Sequence, residues 1–202
     1  MLKKLRRSCE ERRIPLISLA TEKFLWKLLR KHKPKICVEI WGAVGYSSIY
    51  MGGIIHAWGG KISSFEISYP AYQEGLQNAK QAHCYNILSY PYDILHAPIQ
   101  KLVQGPVDFI FIDGQKSQYG EYLEILEKIC SPRTIIVIDD VIKYHNKLVS
   151  LYWYLEKKQI KCLDPEKTQA KTSVSKKDNN PQWTYKILQL EPDDGIMIIE
   201  NI

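Results

Sequence analysis

Two stretches decide the fold: Val107-Asp-Phe-Ile-Phe-Ile-Asp113 and Thr134-Ile-Ile-Val-Ile-Asp139-Asp140. Both are short, rich in β-branched and aromatic residues, and end in carboxylate. Apolar runs of this length, without polar alternation, read as strands buried on both faces, as in a parallel sheet covered by helices. Parallel strands of an open α/β sheet finish along one edge, and that edge is where such folds take their ligands. Asp113, Asp139 and Asp140 are therefore predicted to meet there.

Working outward from these runs, strand and helix signals alternate along the chain. Leu19, Phe24, Leu25, Leu28 and Leu29 fall near helical spacing, and Pro34 closes that segment before the apolar run Ile36 to Ile40. A helix is predicted from about Tyr46 to Ala57, a strand from Lys61 to Ile67, a helix from Pro70 to His83 and a short strand from Tyr85 to Ser89. The second half repeats the pattern, with helices near Ile94 to Val103, Tyr119 to Ile129 and Leu148 to Lys158. Thr184 to Leu190 and Ile196 to Glu200 read as a terminal antiparallel hairpin. The expected fold is a Rossmann-like α/β domain: seven strands, mostly parallel with a C-terminal antiparallel hairpin, and helices on both faces.

At 202 residues and 45% hydrophobic content, the chain is expected to form one domain, residues 1–202. Residues 161–182 are polar and without periodicity, and read as an exposed loop. No run approaches a membrane span, and the five cysteines are scattered without metal-ligand spacing, so a cytoplasmic protein with no membrane partner is expected. Charge is uneven. Residues 1–34, a basic helical segment, supply the surplus behind the formal net charge of +6, which suits either a solvated helix face or contacts to phosphate.

The stretch Val38-Glu39-Ile40-Trp41-Gly42-Ala43-Val44-Gly45-Tyr46-Ser47 places an acid in a buried strand and glycines at a strand-to-helix turn. Such a turn lets backbone approach a ligand, and the helix start presents free N–H groups. Glu66 ends the second strand, where a carboxylate can accept hydrogen bonds from both hydroxyls of a ribose. Asp93, just past the third strand, is placed to accept from an adenine amino group. The spacing of a dinucleotide fingerprint is absent, which disfavours a nicotinamide-dependent oxidoreductase.

Taken in this order, the residues resemble the class I S-adenosylmethionine-dependent O-methyltransferases of the catechol and caffeoyl-CoA type. The resemblance runs through Ile14-Pro-Leu-Ile-Ser18, Val38-Glu-Ile40 with Gly45-Tyr-Ser47, Phe65-Glu66, Tyr92-Asp93, Phe111-Ile-Asp113 with Lys116 and Tyr119, Asp139-Asp140 and Asp194-Gly-Ile196. It implies that Glu39, Gly45 and Ser47 line the methionine end of the cofactor, Glu66 the ribose and Asp93 the adenine edge, with Gly42 and Asp113 also in the cofactor site. It further implies that Asp113, Asp139 and Asp140 hold a divalent cation, most simply Mg²⁺, and that Lys116 is the proton acceptor, its pKa drawn towards neutrality beside that cation. Two positions depart from the family pattern: Asp140 stands for asparagine and Trp41 for glycine.

The implied acceptor is a hydroxyl on a catechol-like or other aromatic molecule. An alternative is a transfer RNA, because Ile112-Asp-Gly-Gln-Lys116-Ser-Gln-Tyr119 is similar to the corresponding run of bacterial tRNA 5-hydroxyuridine methyltransferases. A third reading is a protein that keeps the fold and binds the cofactor without catalysis. A homodimer is the family's usual assembly.

Overall fold

The computed structural model describes residues 1–163 and 183–201. Eight strands form one sheet: β1 (Ile36–Ile40), β2 (Lys61–Phe65), β3 (Ile87–Tyr90), β4 (Val107–Ile112), β5 (Cys130–Ile138), β6 (Lys161–Cys162), β7 (Trp183–Gln189) and β8 (Gly195–Asn201). Their spatial order is β3-β2-β1-β4-β5-β8-β7-β6. The first five are parallel, and β8 runs antiparallel to both β5 and β7. This is the expected mostly parallel sheet with its C-terminal hairpin.

The eighth strand corrects the expected count of seven. It is the two-residue β6, where Lys161 pairs with Thr184 and Cys162 with Tyr185. Two residues carry no readable period, so the pairing is visible only once β7 lies alongside. The rest of the expected exposed loop, 164–182, lies outside the described residues. The helix expected from Ile94 to Val103 is also shorter, reduced to Ile99–Leu102. Pro98 accounts for this, since its ring disfavours helical backbone in Ala97 before it.

Strand alternation splits the core into two layers. Val38, Ile40, Ile110, Ile112, Ile136 and Ile138 face the side covered by α6 (Tyr119–Leu126) and α7 (Val149–Lys157). Cys37, Ile62, Phe109, Phe111, Ile135 and Val137 face α1 (Leu2–Glu11), α2 (Leu19–His32) and α3 (Tyr46–Ile55). Helix α4 (Tyr69–Gln81) completes this second layer through Ala79, and α5 (Ile99–Leu102) joins the first through Ile99. No helix among the described residues is long and apolar enough to cross a membrane.

Chain order reverses between β1 and β4, because β2 and β3 are laid to one side and β4 and β5 to the other. That switch point opens a crevice at the strand ends. Register then sets what lines it. Ile40 pairs with both Phe65 and Ile112, and Ile112 pairs with Ile138, so Trp41, Glu66, Asp113 and Asp139 each follow the last residue of neighbouring strands.

The N-terminal helices wall the crevice. Ser18 caps α2 by accepting from the Thr21 N–H at 3.0 Å, and the chain before it, Pro15 to Ser18, passes over the strand ends. Arg6 pins that passage: its guanidinium donates to the Ile17 carbonyl and the Tyr46 hydroxyl, each at 3.0 Å, and to the Glu22 carboxylate. Arg12 likewise grips Glu74 of α4 through two bonds. Part of the basic segment is thus structural.

Arg6→Ala takes a half-buried cation away from three acceptors, leaving the Ile17 carbonyl without this donor and Glu22 with the Tyr46 hydroxyl. It is expected to cost about 2 kcal/mol. Thermal unfolding followed by circular dichroism should show a fall in Tm of roughly 4–8 °C.

Candidate active site

The turn after β1 is built from left-handed backbone. Trp41 has φ of 68°, Ala43 of 45° and Gly45 of 85°. For Trp41 this conformation costs about 1–2 kcal/mol relative to glycine. The indole packs against the turn after β4: a Cβ added to Gly114 would lie 2.7 Å from Trp41 Cδ1 and 3.0 Å from Nε1. Trp41 therefore holds a backbone that glycine adopts most readily and sends its side chain across to the neighbouring strand end.

Beneath this turn, Glu39 is fully buried. Its Oε2 accepts from the hydroxyls of Ser48 and of Ser64, the latter at 2.8 Å. Its Oε1 is buried with no hydrogen-bond partner. Burial pushes the Glu39 carboxyl up, against the pull of Ser47, Ser48 and Ser64. Gly42 covers this group so closely that a Cβ would overlap Ser64 Oγ and come within 3.2 Å of Glu39 Oε2. Gly45, at the N-terminus of α3, meets Gly75 of α4. Ser47 shares a small cleft with Asp113, Gly42 and the Pro15–Ile17 wall.

Glu66 is also buried and holds two turns at once. Its Oε2 accepts from Ala43 N at 2.8 Å and its Oε1 from Ser68 N at 2.7 Å. A carboxylate oxygen has two lone pairs, so each oxygen keeps one acceptor site towards the cavity that it lines. Asp93 behaves differently: it accepts from Leu95 N at 3.0 Å, closing its own turn, and is not among the walls of that cavity.

The cavity, about 530 Å³, lies between the Pro15–Thr21 wall, the turns after β1, β4 and β5, and the hairpin residues Leu190, Glu191 and Asp194. At its acidic end Lys116, in the helical turn after β4, lies 2.7 Å from Asp113 Oδ1 and 2.7 Å from Asp140 Oδ2. The rings of Tyr119 and Tyr144 stand 5.5 and 5.7 Å from its nitrogen. Burial alone would lower the Lys116 pKa, but the charges of Asp113 and Asp140 outweigh it and hold the group above the ordinary lysine range. The two carboxylates thus shift it upward, whereas the expected drift towards neutrality is one that a neighbouring cation would cause. Lys116 is an ammonium throughout the physiological range.

Asp139 lines the same cavity and meets other partners. Its Oδ1 accepts from Asp140 N at 3.1 Å and from the Thr21 hydroxyl at 3.4 Å. Burial, with the charges of Asp113 and Asp140, raises its pKa well above the carboxylate range. Asp140, in left-handed backbone at φ 62°, pairs with Asp194 as well as Lys116. Burial would raise Asp140, yet the bond from Asp194 and the Lys116 charge hold it below the usual range, while burial and the same bond raise Asp194. The pair is thus split, with Asp194 the weaker acid of the two.

The strand-end register thus brings Asp113, Asp139 and Asp140 to one edge as predicted, with Glu39, Glu66, Gly42, Gly45 and Ser47 beside them. The metal expectation fares differently. Among the described residues no group of three or more Asp, Glu, His or Cys side chains is arranged to hold a metal ion. The space between Asp113 and Asp140 contains the Lys116 ammonium, and Asp139 Oδ1 is taken by Asp140 N–H and the Thr21 hydroxyl, so this arrangement does not fit a divalent cation. Sequence reading missed Asp194 as a partner of Asp140. The available signals were its place at the hairpin turn and the resemblance of Asp194-Gly-Ile196 to the family's last hairpin; its approach depends on the pairing of Ile138 with Met197.

A model of the O-methyltransferase family matches residues 1–169. The chain is 30% identical over 145 residues to a catechol O-methyltransferase of Niastella koreensis, covering 67% of this chain and 63% of that protein. It is 29% identical over 150 residues to a caffeoyl-CoA O-methyltransferase of Stellaria longipes, covering 70% and 61%. The match therefore spans a little over three fifths of the length of these curated relatives. Among solved structures, the O-methyltransferase from Bacillus cereus in complex with SAH is alike in fold, with a TM-score of 0.75 over 98% of this chain and 90% of that one at 21% identity. Because the family match takes in β1 to β5 and every member of the carboxylate cluster except Asp194, the chain belongs to the O-methyltransferase family.

Proposed function

We propose that the protein transfers the methyl group of S-adenosylmethionine to a hydroxyl oxygen of an aromatic acceptor. The observation that carries this reading is the pair of buried acceptor groups on adjacent strands: Glu39, one residue before the end of β1, with an unpartnered Oε1, and Glu66, just past β2, with one spare acceptor site on each oxygen. The first suits an ammonium group and the second a ribose diol, the two ends of that cofactor. The SAH named with the Bacillus cereus relative agrees with this choice. Bound there, the cofactor supplies an electrophilic sulfonium methyl.

The chain's residues prepare the acceptor. Lys116 faces the cavity as a fixed positive charge and stabilises the oxyanion that develops as the hydroxyl loses its proton. Asp113 Oδ1 is taken by Lys116, which leaves Oδ2 to accept that proton. The Pro15–Thr21 wall, with Trp41 and Tyr144, supplies apolar surface that orients a ring and excludes water. The divalent cation implied by resemblance has no step in this scheme.

A transfer RNA is the second acceptor, favoured by one observation: Lys23, Lys27, Arg30, Lys31 and Lys33 are exposed along and just beyond α2, whose N-terminal end contributes to the cavity wall. Such a surface would act through phosphate contacts, whereas a small phenol needs none. Labelled methyl transfer to a catechol panel and to bulk tRNA distinguishes them, because only the RNA reaction should weaken steeply with salt, by about 10³-fold between 50 and 200 mM if several phosphates are contacted.

Two substitutions test the assignments. Glu66→Gln replaces one acceptor oxygen by a donor, and calorimetry should show S-adenosylmethionine binding weakened by about 10- to 100-fold. Asp113→Asn should lower kcat by about 10²- to 10⁴-fold while the cofactor Kd changes little. Equal loss of both parameters would assign Asp113 to cofactor binding alone. Tight cofactor binding by the wild type with no turnover on any acceptor would favour the binding-protein reading.

A further inference from the structure

We infer that Lys116 is the resident cation of this site: clasped by Asp113 and Asp140, its ammonium takes the seat a divalent ion would use, and the protein works without a bound metal. The role of Lys116 in turnover rests on the methyl-transfer reading, but the exclusion of a metal does not. Both carboxylates approach one nitrogen at 2.7 Å, so two oxygens from different strand ends already converge on a single cationic centre. A Mg²⁺ ion would draw such oxygens in to about 2.1 Å, a contraction of roughly 0.6 Å on each side. The convergence is therefore close to metal-like, while the occupant is organic.

Three features hold the ammonium in place. Its side chain is only 14% exposed. Tyr119 and Tyr144 offer it ring faces at 5.5 and 5.7 Å, an arrangement that attracts a cation without providing the oxygen ligands a hard metal needs. The third carboxylate, Asp139, has its Oδ1 engaged by Asp140 N–H and the Thr21 hydroxyl. A divalent ion entering here would have to displace the lysine from both partners and leave an ammonium pressed against it.

This reading also accounts for Asp140. An asparagine at that position would give the ammonium a neutral oxygen on one side, whereas aspartate matches the opposite carboxylate and makes a two-sided ionic clasp. The same substitution that adds negative charge to the edge is the one that secures the internal positive charge.

Mn²⁺ serves as the probe, with binding read from the loss of its free electron paramagnetic resonance signal, using the full chain. The wild type is expected to bind no Mn²⁺ at stoichiometric level up to millimolar concentration, and to retain its methyl transfer in excess chelator. Lys116→Met empties the seat and leaves both carboxylates facing it, so its Mn²⁺ affinity should rise at least about tenfold over wild type. Stoichiometric micromolar binding of Mn²⁺ by the wild type overturns the inference, and so does a folded Lys116→Met protein with no gain. Lys116→Gln is the second variant should the methionine protein not fold, and the wild-type measurement decides independently. Failure of the methyl-transfer reading is seen separately, as absence of S-adenosylmethionine binding in calorimetry of the wild type.

Discussion

The structure depends on one constraint, the in-register termination of β1, β2, β4 and β5. Because Ile40 is paired to Phe65 on one side and Ile112 on the other, and Ile112 to Ile138, the residues that follow emerge in a row. A slip of one residue in any pair would turn a strand's side chains to the opposite face and carry its terminal acid out of line. The two apolar layers forbid that slip, since each strand has large residues committed to both faces. Core packing is in this sense what aims the carboxylates.

Burial then assigns different states to chemically similar groups. Asp113 and Asp140 share the Lys116 ammonium, burial raises the pKa of Asp113, and that of Asp139 well above the ordinary value, and Asp194 is raised where its neighbour Asp140 is lowered. Glu66, braced by two backbone N–H groups from different turns, is a fixed acceptor that needs no rearrangement to receive a ligand. The edge is thus a graded set of acids whose roles follow from desolvation and from a single lysine.

What could be read from sequence was whatever strand position alone determines. Asp113, Asp139, Glu39 and Glu66 were legible because each sits at or within the end of a strong apolar run, and the sheet aligns such ends. The charge state of Lys116 was not, since three-residue spacing from Asp113 says nothing of Asp140 on the next strand. Thr21 reaches Asp139 from 118 positions away, and Arg6 reaches Tyr46 from 40. Such contacts follow from how helices dock on the sheet, which periodicity does not encode. The β6 strand was invisible for a similar reason, since its pairing to β7 is all that defines it.

The contact between Trp41 and Gly114 carries a consequence for how such a chain can change. The indole fills the volume that any side chain at 114 would occupy, so the two strand ends trade bulk across the crevice. A side chain acquired at 114 would evict the indole from its seat while leaving position 41 in left-handed backbone. Loss of the indole alone would open a slot beside Asp113. Position 114 is thus held to glycine for as long as the indole is present, whereas position 41 can shrink without any change at 114.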